Sequence, residues 1–174
     1  AQAGLAIDRA KLYQQIKEQA IKDSLTGVYN RRFSDDYVQH QAREMLLKGT
    51  PVSIVLVDIN GLKRVNDTYG HSAGDTLLMA VADFLRQNFP DKPISRYGGD
   101  EFIVFLLGVS QWDLDEIVGN LRRLKTRWQI KMSEKHPFPL DFAIGAACAT
   151  RPDELELLID YADNLMYKDK HGLL

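Results

Sequence analysis

Hydrophobic positions define two elements of the chain most clearly. Residues 52–57, VSIVLV, are apolar almost throughout and rich in β-branched side chains, which is typical of a strand buried on both faces of a sheet. The segment Ser72–Gln87 instead repeats its apolar residues at helical spacing. On a helix these residues share one face: Leu77, Leu78, Val81, Phe84 and Leu85. The two patterns predict a buried strand followed by an amphipathic helix.

Further patterns predict a hairpin, another strand and several helices. Ile94–Tyr97 leads into Gly98-Gly99 and Glu101–Leu107 leads out, and we expect a tight two-residue turn in which the glycines adopt positive φ. A strand is predicted over Phe142–Ala147, and helices over Asn30–Leu47, Gly61–Asp67, Leu114–Trp128 and Pro152–Lys170. This interleaving predicts an α+β domain with one mainly antiparallel central sheet flanked by helices.

The first segment of the chain supports two interpretations. Leu5–Lys22 is helical in composition, and its apolar residues are spaced nearly as in a coiled-coil seam. One interpretation is an amphipathic helix packed on its own domain. The other is the end of a stalk that transmits a signal from an upstream module. Too few heptads are present to decide between them.

Composition and charge exclude several classes of protein. The 174 residues carry a formal net charge of −2, whereas binding to a nucleic acid usually requires clustered excess Lys and Arg. Cys148 is the single cysteine, which suits a reducing compartment. No apolar run approaches the roughly 20 residues that span a bilayer. We therefore expect a cytoplasmic domain that contacts neither nucleic acid nor membrane, whether or not its parent protein is membrane-anchored.

Acidic residues follow two of the predicted strands. Asp58 ends the buried strand, and Asp100 and Glu101 come directly after Gly98-Gly99. If the hairpin pairs beside the 52–57 strand, these carboxylates converge at one edge of the sheet. Such oxygen ligands suit Mg²⁺, which typically takes one or two protein carboxylates and completes its shell with water and substrate phosphates. Asp and Glu beside a Gly-Gly turn are also ordinary turn residues, so this signal alone is weak.

The residues after Asp58 add signals for a nucleotide. Asn60, Gly61 and Leu62 lead from strand into helix, where backbone N–H groups can bind phosphate, and Lys63 adds a positive charge. Further along, an amide and a carboxylate could together read guanine: Asn66 and Asp75, with His71 between them. The same residues also have a purely structural interpretation, with a helix end near Asp67, a turn at Gly70 and an N-cap at Ser72.

Four ordered blocks resemble the GGDEF family of diguanylate cyclase domains. They cover essentially the whole chain after the first helix: residues 23–32 (DSLTGVYNRR), 57–71 (VDINGLKRVNDTYGH), 96–102 (RYGGDEF) and 162–170 (ADNLMYKDK). The resemblance implies a fold similar to class III nucleotide cyclases and the polymerase palm, which is ferredoxin-like. It also implies a division into an N-terminal signalling or linker helix, residues 1–22, and a catalytic domain, residues 23–174.

The resemblance further implies a reaction and a role for each matching residue. Two GTP molecules, one on each subunit of a homodimer, would be joined into cyclic di-GMP with release of two pyrophosphates. The expected cofactor is Mg²⁺, two ions per active site, with Mn²⁺ as a possible substitute. Metal ligands would be Asp58, Asp100 and the Ile59 carbonyl; Asp100 would help to deprotonate the 3′-hydroxyl, and Glu101 belongs to the catalytic signature. Guanine contacts would come from Asn66, Asp75 and His71, and phosphate contacts from Gly61, Leu62, Lys63 and Lys170.

The chain departs from the family pattern at three places. Asn60 stands where many members have Asp, and the usual basic residue after Lys170 is missing. Phe89 and Lys92 occupy the two positions of an Arg-x-x-Asp product-binding site, so we expect no strong feedback inhibition there. The main alternative function is a catalytically silent GGDEF domain that senses GTP or binds a partner. An upstream sensory domain is expected in the full-length protein under either interpretation.

Overall fold

The computed structural model describes residues 20–173, which form one five-stranded sheet with helices on both faces. The strand order is β1-β3-β4-β2-β5. β2 pairs antiparallel with both β4 and β5, β3 pairs antiparallel with β4, and β1 pairs parallel with β3. The strands are β1 (Tyr29–Asn30), β2 (Val52–Ile59), β3 (Ile94–Arg96), β4 (Glu101–Leu107) and β5 (Phe142–Ala149).

The helices divide between the two faces of the sheet. α1 comprises Arg31–Tyr37, a π-helical turn Val38–Ala42 and Arg43–Leu47. The others are α2 (Leu62–Tyr69), α3 (His71–Asn88), α4 (Gln111–Ser133) and, after a 3₁₀ turn Pro152–Glu154, α5 (Leu155–Lys170). Buried residues of α3 and α4 pack on one face, and those of α1 and α5 pack on the other.

The position of β2 explains its nearly continuous apolar sequence. Val55, Val57 and Ile59 belong to the core shared with α3 and α4. Ile54 and Leu56 belong to the core shared with α1 and α5. Because successive side chains of a strand point to opposite faces, a central strand covered on both sides needs apolar residues at nearly every position. The predicted fold class and the two-sided burial of this strand are confirmed.

Three local predictions were wrong in detail. Gly98 and Gly99 do not adopt positive φ, and a four-residue connection, 97–100, replaces the expected two-residue turn. The Glu101 side chain instead lies against Gly98, where a Cβ would be 2.4 Å from Glu101 Oε2, so a larger residue would force that carboxylate to move. Gly70, with φ 86°, rather than Ser72, precedes the first residue of α3. The short strand β1 was not predicted, because two residues carry no periodic pattern.

The N-terminal helix predicted over Leu5–Lys22 lies almost entirely outside the described residues. Within them, Lys22 forms a β-bridge with Tyr29 instead of continuing a helix. None of the helices in the part of the chain from residue 20 to residue 173 has the length and apolar character needed to cross a membrane.

Candidate active site

Three carboxylates lie at one edge of the sheet, where β2 ends and β4 begins. Asp58 pairs with Glu101 across the two strands. The next residue, Ile59, donates its backbone N–H to the Asp100 carbonyl oxygen at 3.0 Å. The Asp58 side chain is largely enclosed, with 14% of its surface exposed. We call Asp58, Asp100 and Glu101 the acidic edge.

Negative charge is crowded at the acidic edge. Burial is the main reason that the pKa of Glu101 lies above its ordinary value, and the neighbouring carboxylates of Asp58, Asp100 and Asp163 raise it further. Arg31 partly offsets this effect. Because each added proton or cation would relieve the repulsion between these groups, the acidic edge is electrostatically suited to bind a cation.

The oxygen donors at this edge fit Mg²⁺. Within residues 20–173 there is no cluster of three or more His, Cys, Asp or Glu side chains arranged to enclose a metal by themselves. Mg²⁺ does not need one, because it commonly uses one or two carboxylates and takes its other ligands from water and phosphates. Asp58, Asp100 and the Ile59 carbonyl would be the protein's contribution.

Lys170 reaches the acidic edge from the last turn of α5. Its Nζ lies 2.8 Å from Asp58 Oδ1, with 38% of the lysine side chain exposed. The sequence predicted Lys170 as a phosphate contact, and the structure places it directly against one of the candidate metal carboxylates. A cation bound at Asp58 would therefore compete with Lys170 for the same oxygen.

The position of Lys170 depends on how closely α5 lies against β5. A Cβ at Gly145 would be 2.0 Å from the Ala162 carbonyl oxygen, so only glycine allows this approach. Asp169 then fixes the end of the helix: its Oδ2 accepts a hydrogen bond from the Ile144 N–H at 2.8 Å. Its Oδ1 lies 3.0 Å from Arg122 Nη2. Neither Arg122 nor Asp169 was predicted from the sequence as a supporting residue of the site.

The connection between β2 and α2 provides candidate phosphate donors. Gly61 adopts φ 73°, a left-handed conformation that favours glycine, and α2 begins at Leu62. The first N–H groups of a helix have no partners within the helix, and they point in the direction from which an anion can approach. Lys63 is exposed in the first turn of α2. We call Asn60–Leu62 the β2–α2 turn.

Asp141 holds the β2–α2 turn from the opposite side. Asn60 donates its backbone N–H to the Asp141 carbonyl oxygen at 2.8 Å and its side-chain Nδ2 to Asp141 Oδ2 at 2.7 Å. The other carboxylate oxygen, Oδ1, lies 2.8 Å from both Lys125 Nζ and Gln129 Nε2. The hydrophobic pattern of α4 contained no signal for these contacts, because they depend on residues that are far from Asn60 in the sequence.

The predicted guanine contacts lie on the two helices after this turn. Asn66 lies on α2, and His71 and Asp75 lie in the first turns of α3. A Cβ at Gly74 would overlap Asn66 Oδ1, at 1.9 Å, so the Asn66 side chain passes directly over this glycine. Asn66 and Asp75 are therefore brought to neighbouring positions, while His71 and Asp75 are exposed.

Arg96 connects the acidic edge with the start of the described chain. Its guanidinium donates to the Gly99 carbonyl oxygen at 2.6 and 3.1 Å and lies 3.4 Å from Asp23 Oδ2. Asp23 also accepts hydrogen bonds from the backbone and hydroxyl of Thr26. Although burial opposes it, these hydrogen bonds and the Arg96 charge hold the pKa of Asp23 below its ordinary value. The first sequence block is thus tied to the 97–100 connection.

An apolar cavity lies beside the two positions at which the family pattern would place the Arg and Asp of a product-binding site. Phe89, which is buried, and Lys92 line a cavity of about 300 Å³ between the end of α3 and α4. Its other walls are mostly aliphatic, including Leu106, Leu121 and Leu124. A bidentate Arg and a carboxylate that could read a guanine-containing product are absent from these two positions.

Fold and geometry together define an α+β domain with a palm-like fold and an acidic edge next to candidate phosphate and guanine contacts. The profile described as "Diguanylate cyclase, GGDEF domain" matches residues 20–172. The chain belongs to the GGDEF family. The predicted resemblance is confirmed.

Individual relatives agree with this assignment. Diguanylate cyclase DosC of Escherichia coli is 30% identical over 159 residues, which are 90% of this chain and 35% of DosC. Response regulator PleD of Caulobacter vibrioides is 33% identical over 157 residues, 88% of this chain and 34% of PleD. This chain thus spans about a third of the length of these curated relatives.

Solved structures show the same fold. The GGDEF domain of DgcB from Caulobacter crescentus, in complex with c-di-GMP, has a TM-score of 0.76 and 26% identity. It covers 88% of this chain, and this chain covers 89% of it. A GGDEF domain of TpbB (YfiN) from Pseudomonas aeruginosa has a TM-score of 0.70 and 29% identity, with 87% of this chain and 89% of that chain covered.

Proposed function

We propose that this domain is a diguanylate cyclase that condenses two GTP molecules into cyclic di-GMP and two pyrophosphates. In each half-reaction the 3′-oxygen of one GTP forms a bond to the α-phosphorus of the other. The bond between that phosphorus and the oxygen of pyrophosphate breaks, and the 3′-hydroxyl proton leaves. The acidic edge carries this proposal, because Asp58, Asp100 and Glu101 are intact and lie together beside the β2–α2 turn.

Under this proposal, each residue of the site has a defined role in binding or catalysis. Asp58, Asp100 and the Ile59 carbonyl would hold Mg²⁺, two ions per site with Mn²⁺ as a substitute, which supplies charge neutralisation and lowers the pKa of the attacking hydroxyl. The carboxylate of Asp100 would accept that proton. The backbone of Gly61 and Leu62, with Lys63 and Lys170, would bind the β- and γ-phosphates. Positioning of the two substrates would supply much of the remaining acceleration.

Guanine recognition is assigned to α2 and α3. Asp75 would accept hydrogen bonds from N1–H and the exocyclic amine of guanine, and Asn66 would donate to an acceptor on the ring edge. His71 would lie along the same pocket. Adenine lacks the matching pair of donors, so the domain should prefer GTP to ATP.

A homodimer is needed under this proposal, because each subunit would present one GTP and therefore half of the reacting groups. We assign residues 1–22 to a signalling or linker segment, which is not helical at Lys22, and residues 23–174 to the catalytic domain, with a sensory module upstream and the reaction in the cytoplasm. The contact of Arg96 with both Asp23 and Gly99 supports a route from the start of the domain to the acidic edge.

The test is product formation by the protein fused to a leucine zipper, which enforces the dimer. The parent and Asp100→Ala would be incubated with GTP and Mg²⁺, and cyclic di-GMP and pyrophosphate would be separated by chromatography. We expect both products from the parent and none from the variant. Asp115→Ala, on the exposed surface of α4, serves as a matched control and should behave like the parent. A folded, zipper-linked parent without product would favour the silent domain that binds GTP or a partner.

A further inference from the structure

Asn60 and Asp141 are half-buried residues at the ends of neighbouring strands, and two hydrogen bonds join them. Backbone and side chain of Asn60 both donate to Asp141, at 2.8 and 2.7 Å. Hydrogen bonds to a charged acceptor are stronger than those between neutral groups. The contact lies immediately before Gly61, so it fixes the point at which the chain leaves β2 and enters the β2–α2 turn.

Asp141 is in turn held by α4. Lys125 and Gln129 both lie 2.8 Å from Asp141 Oδ1, and Lys125 also donates to the Phe142 carbonyl oxygen. Lys125 is largely enclosed, with 17% of its side chain exposed. Burial alone would raise the pKa of Asp141, yet the hydrogen bonds from Lys125 and Asn60 lower it overall. Asp141 is therefore a charged anchor between α4 and the β2–α2 turn.

The orientation of each side chain is determined by its partners. Asp141 directs one oxygen to Lys125 and Gln129, which can only donate there, and the other to Asn60. Asn60 must consequently present its amide N–H₂ group to Asp141. Its Oδ1 is buried and has no hydrogen-bond partner among the described residues. Asn60 thus donates to a carboxylate, which an ionised Asp at the same position could not do.

We propose that Asn60 and Asp141 are a matched amide–carboxylate pair whose role is to position the β2–α2 turn for the phosphates of GTP. This inference rests on the proposed function. Asn60 and Asp141 are positioning residues, because they act through the backbone of Gly61 and Leu62. An Asp at position 60 would face the carboxylate of Asp141 instead of donating to it.

The first variant is Asn60→Asp, which replaces the donating amide with a second carboxylate. Two carboxylates about 3 Å apart repel each other, so one must move or take up a proton, and the β2–α2 turn would shift. We expect affinity for 3′-deoxy-GTP with Mg²⁺ to fall about tenfold, since a displacement of phosphate contacts costs roughly that much or more. This analogue lacks the attacking hydroxyl and cannot be cyclised.

The second variant exchanges the two residues, Asn60→Asp with Asp141→Asn. The asparagine introduced on the β5 side would keep an oxygen toward Lys125 and Gln129 and present its amide to the carboxylate introduced in the turn. We expect about threefold or greater recovery of affinity, as is typical of coupling between contacting residues. Recovery should be incomplete, because the second oxygen of the new carboxylate would occupy the buried position that has no donor. Asn120→Asp, on the exposed surface of α4, makes the same chemical change away from the site and should have no effect.

Binding of 3′-deoxyguanosine separates positioning from general damage, because this ligand has no phosphate. We expect Asn60→Asp to leave the affinity for 3′-deoxyguanosine unchanged within about twofold and to lower the affinity for 3′-deoxy-GTP. The reason is that the proposed guanine contacts lie on α2 and α3 and not in the β2–α2 turn. Equal losses for both ligands, or no loss for 3′-deoxy-GTP, would overturn the pairing. If Asn60→Asp does not fold, a folded exchange variant that binds 3′-deoxy-GTP supports the pairing, and one that is equally unfolded contradicts it. A parent that binds no 3′-deoxy-GTP would instead overturn the proposed function, and the pairing with it.

Discussion

The acidic edge and the cavity beside Phe89 differ in how they relate to the family pattern. At the acidic edge every residue of the expected constellation is present, and strand pairing brings Asp58, Asp100 and Glu101 together. Beside the cavity the two residues expected to hold product are replaced by a buried aromatic ring and a lysine. Under the proposed function, the chemistry and its feedback control would reside in separate parts of the fold, so that one could be lost without the other.

The largest expected effect comes from the acidic edge. Asp58→Asn keeps the shape of the side chain but removes a charge that the proposed metal site and Lys170 both use. We expect the rate of cyclic di-GMP formation to fall by about 10³-fold, the size of losing a preorganised charge contact in a transition state. Initial rates of pyrophosphate release measure it. A fall of less than about tenfold, far below that size, would show that Asp58 is dispensable.

The second prediction concerns the proposed recognition of guanine by α3. Asp75→Ser removes the acceptor proposed for the two guanine donors. We expect discrimination between GTP and ATP, measured as the ratio of kcat/KM values, to fall about 10²-fold because a pocket built for hydrogen bonds rejects the wrong partner strongly. Unchanged discrimination would place guanine recognition elsewhere.

The third prediction concerns the cavity beside Phe89. Cyclic di-GMP should inhibit the parent weakly or not at all. The double variant Phe89→Arg with Lys92→Asp restores the expected charges but removes a buried ring from the core. In the folded double variant, we expect cyclic di-GMP to bind at least about tenfold more tightly, as one or two charge-assisted contacts would give. Calorimetric titration of both proteins gives the comparison. The claim that this site is lost would be refuted if the parent bound cyclic di-GMP tightly and a substitution of Lys92 weakened that binding.

The smallest expected effect is on stability. Because the pKa of Glu101 is raised in the folded protein, the folded state holds its proton more tightly than the unfolded state does, and ionisation opposes folding. This cost grows as pH rises from the ordinary value of 4.5 through the raised value, and is present at about pH 7. Glu101→Gln should therefore raise the melting temperature by about 2 °C at about pH 7 without Mg²⁺.

The same measurement has an internal control. Below about pH 4 the carboxyl of Glu101 is largely protonated in both states, so the difference between Glu101→Gln and the parent should disappear there. A stabilisation that persists unchanged at low pH would mean that packing, and not charge, is responsible.

Local periodicity predicted the helices and strands well, because long amphipathic patterns depend on burial of one face. The pattern of β2 predicted a strand buried on both sides, and the structure places it between β4 and β5. Periodicity did not predict the two-residue strand β1, which exists because Tyr29 and Asn30 pair with β3. The expectation of positive φ at Gly98 was also wrong, and this glycine instead leaves room for the Glu101 side chain.

The candidate site was predictable to the extent that its residues lie in recognisable blocks. The support around it was not, because these contacts join residues far apart in sequence. Asp141 contacts Asn60 across 81 positions, and Lys170 contacts Asp58 across 112. Neither Asp141 nor Arg122 belongs to a motif, and a single charged residue on a helix carries no signal for its distant partner. Packing of α4 and α5 against β5 is what brings these groups to the site.

The most direct measurement is a complete progress curve for the zipper-fused protein with GTP and Mg²⁺, scoring cyclic di-GMP and pyrophosphate together. We expect two pyrophosphates for each cyclic di-GMP, and a rate that falls with GTP consumption but is unaffected by cyclic di-GMP added at the start. That result would support an active acidic edge without feedback from the surface beside Phe89. Absence of both products from a folded dimer would contradict the account, and product formation that stops early as cyclic di-GMP accumulates would contradict its separation of chemistry from control.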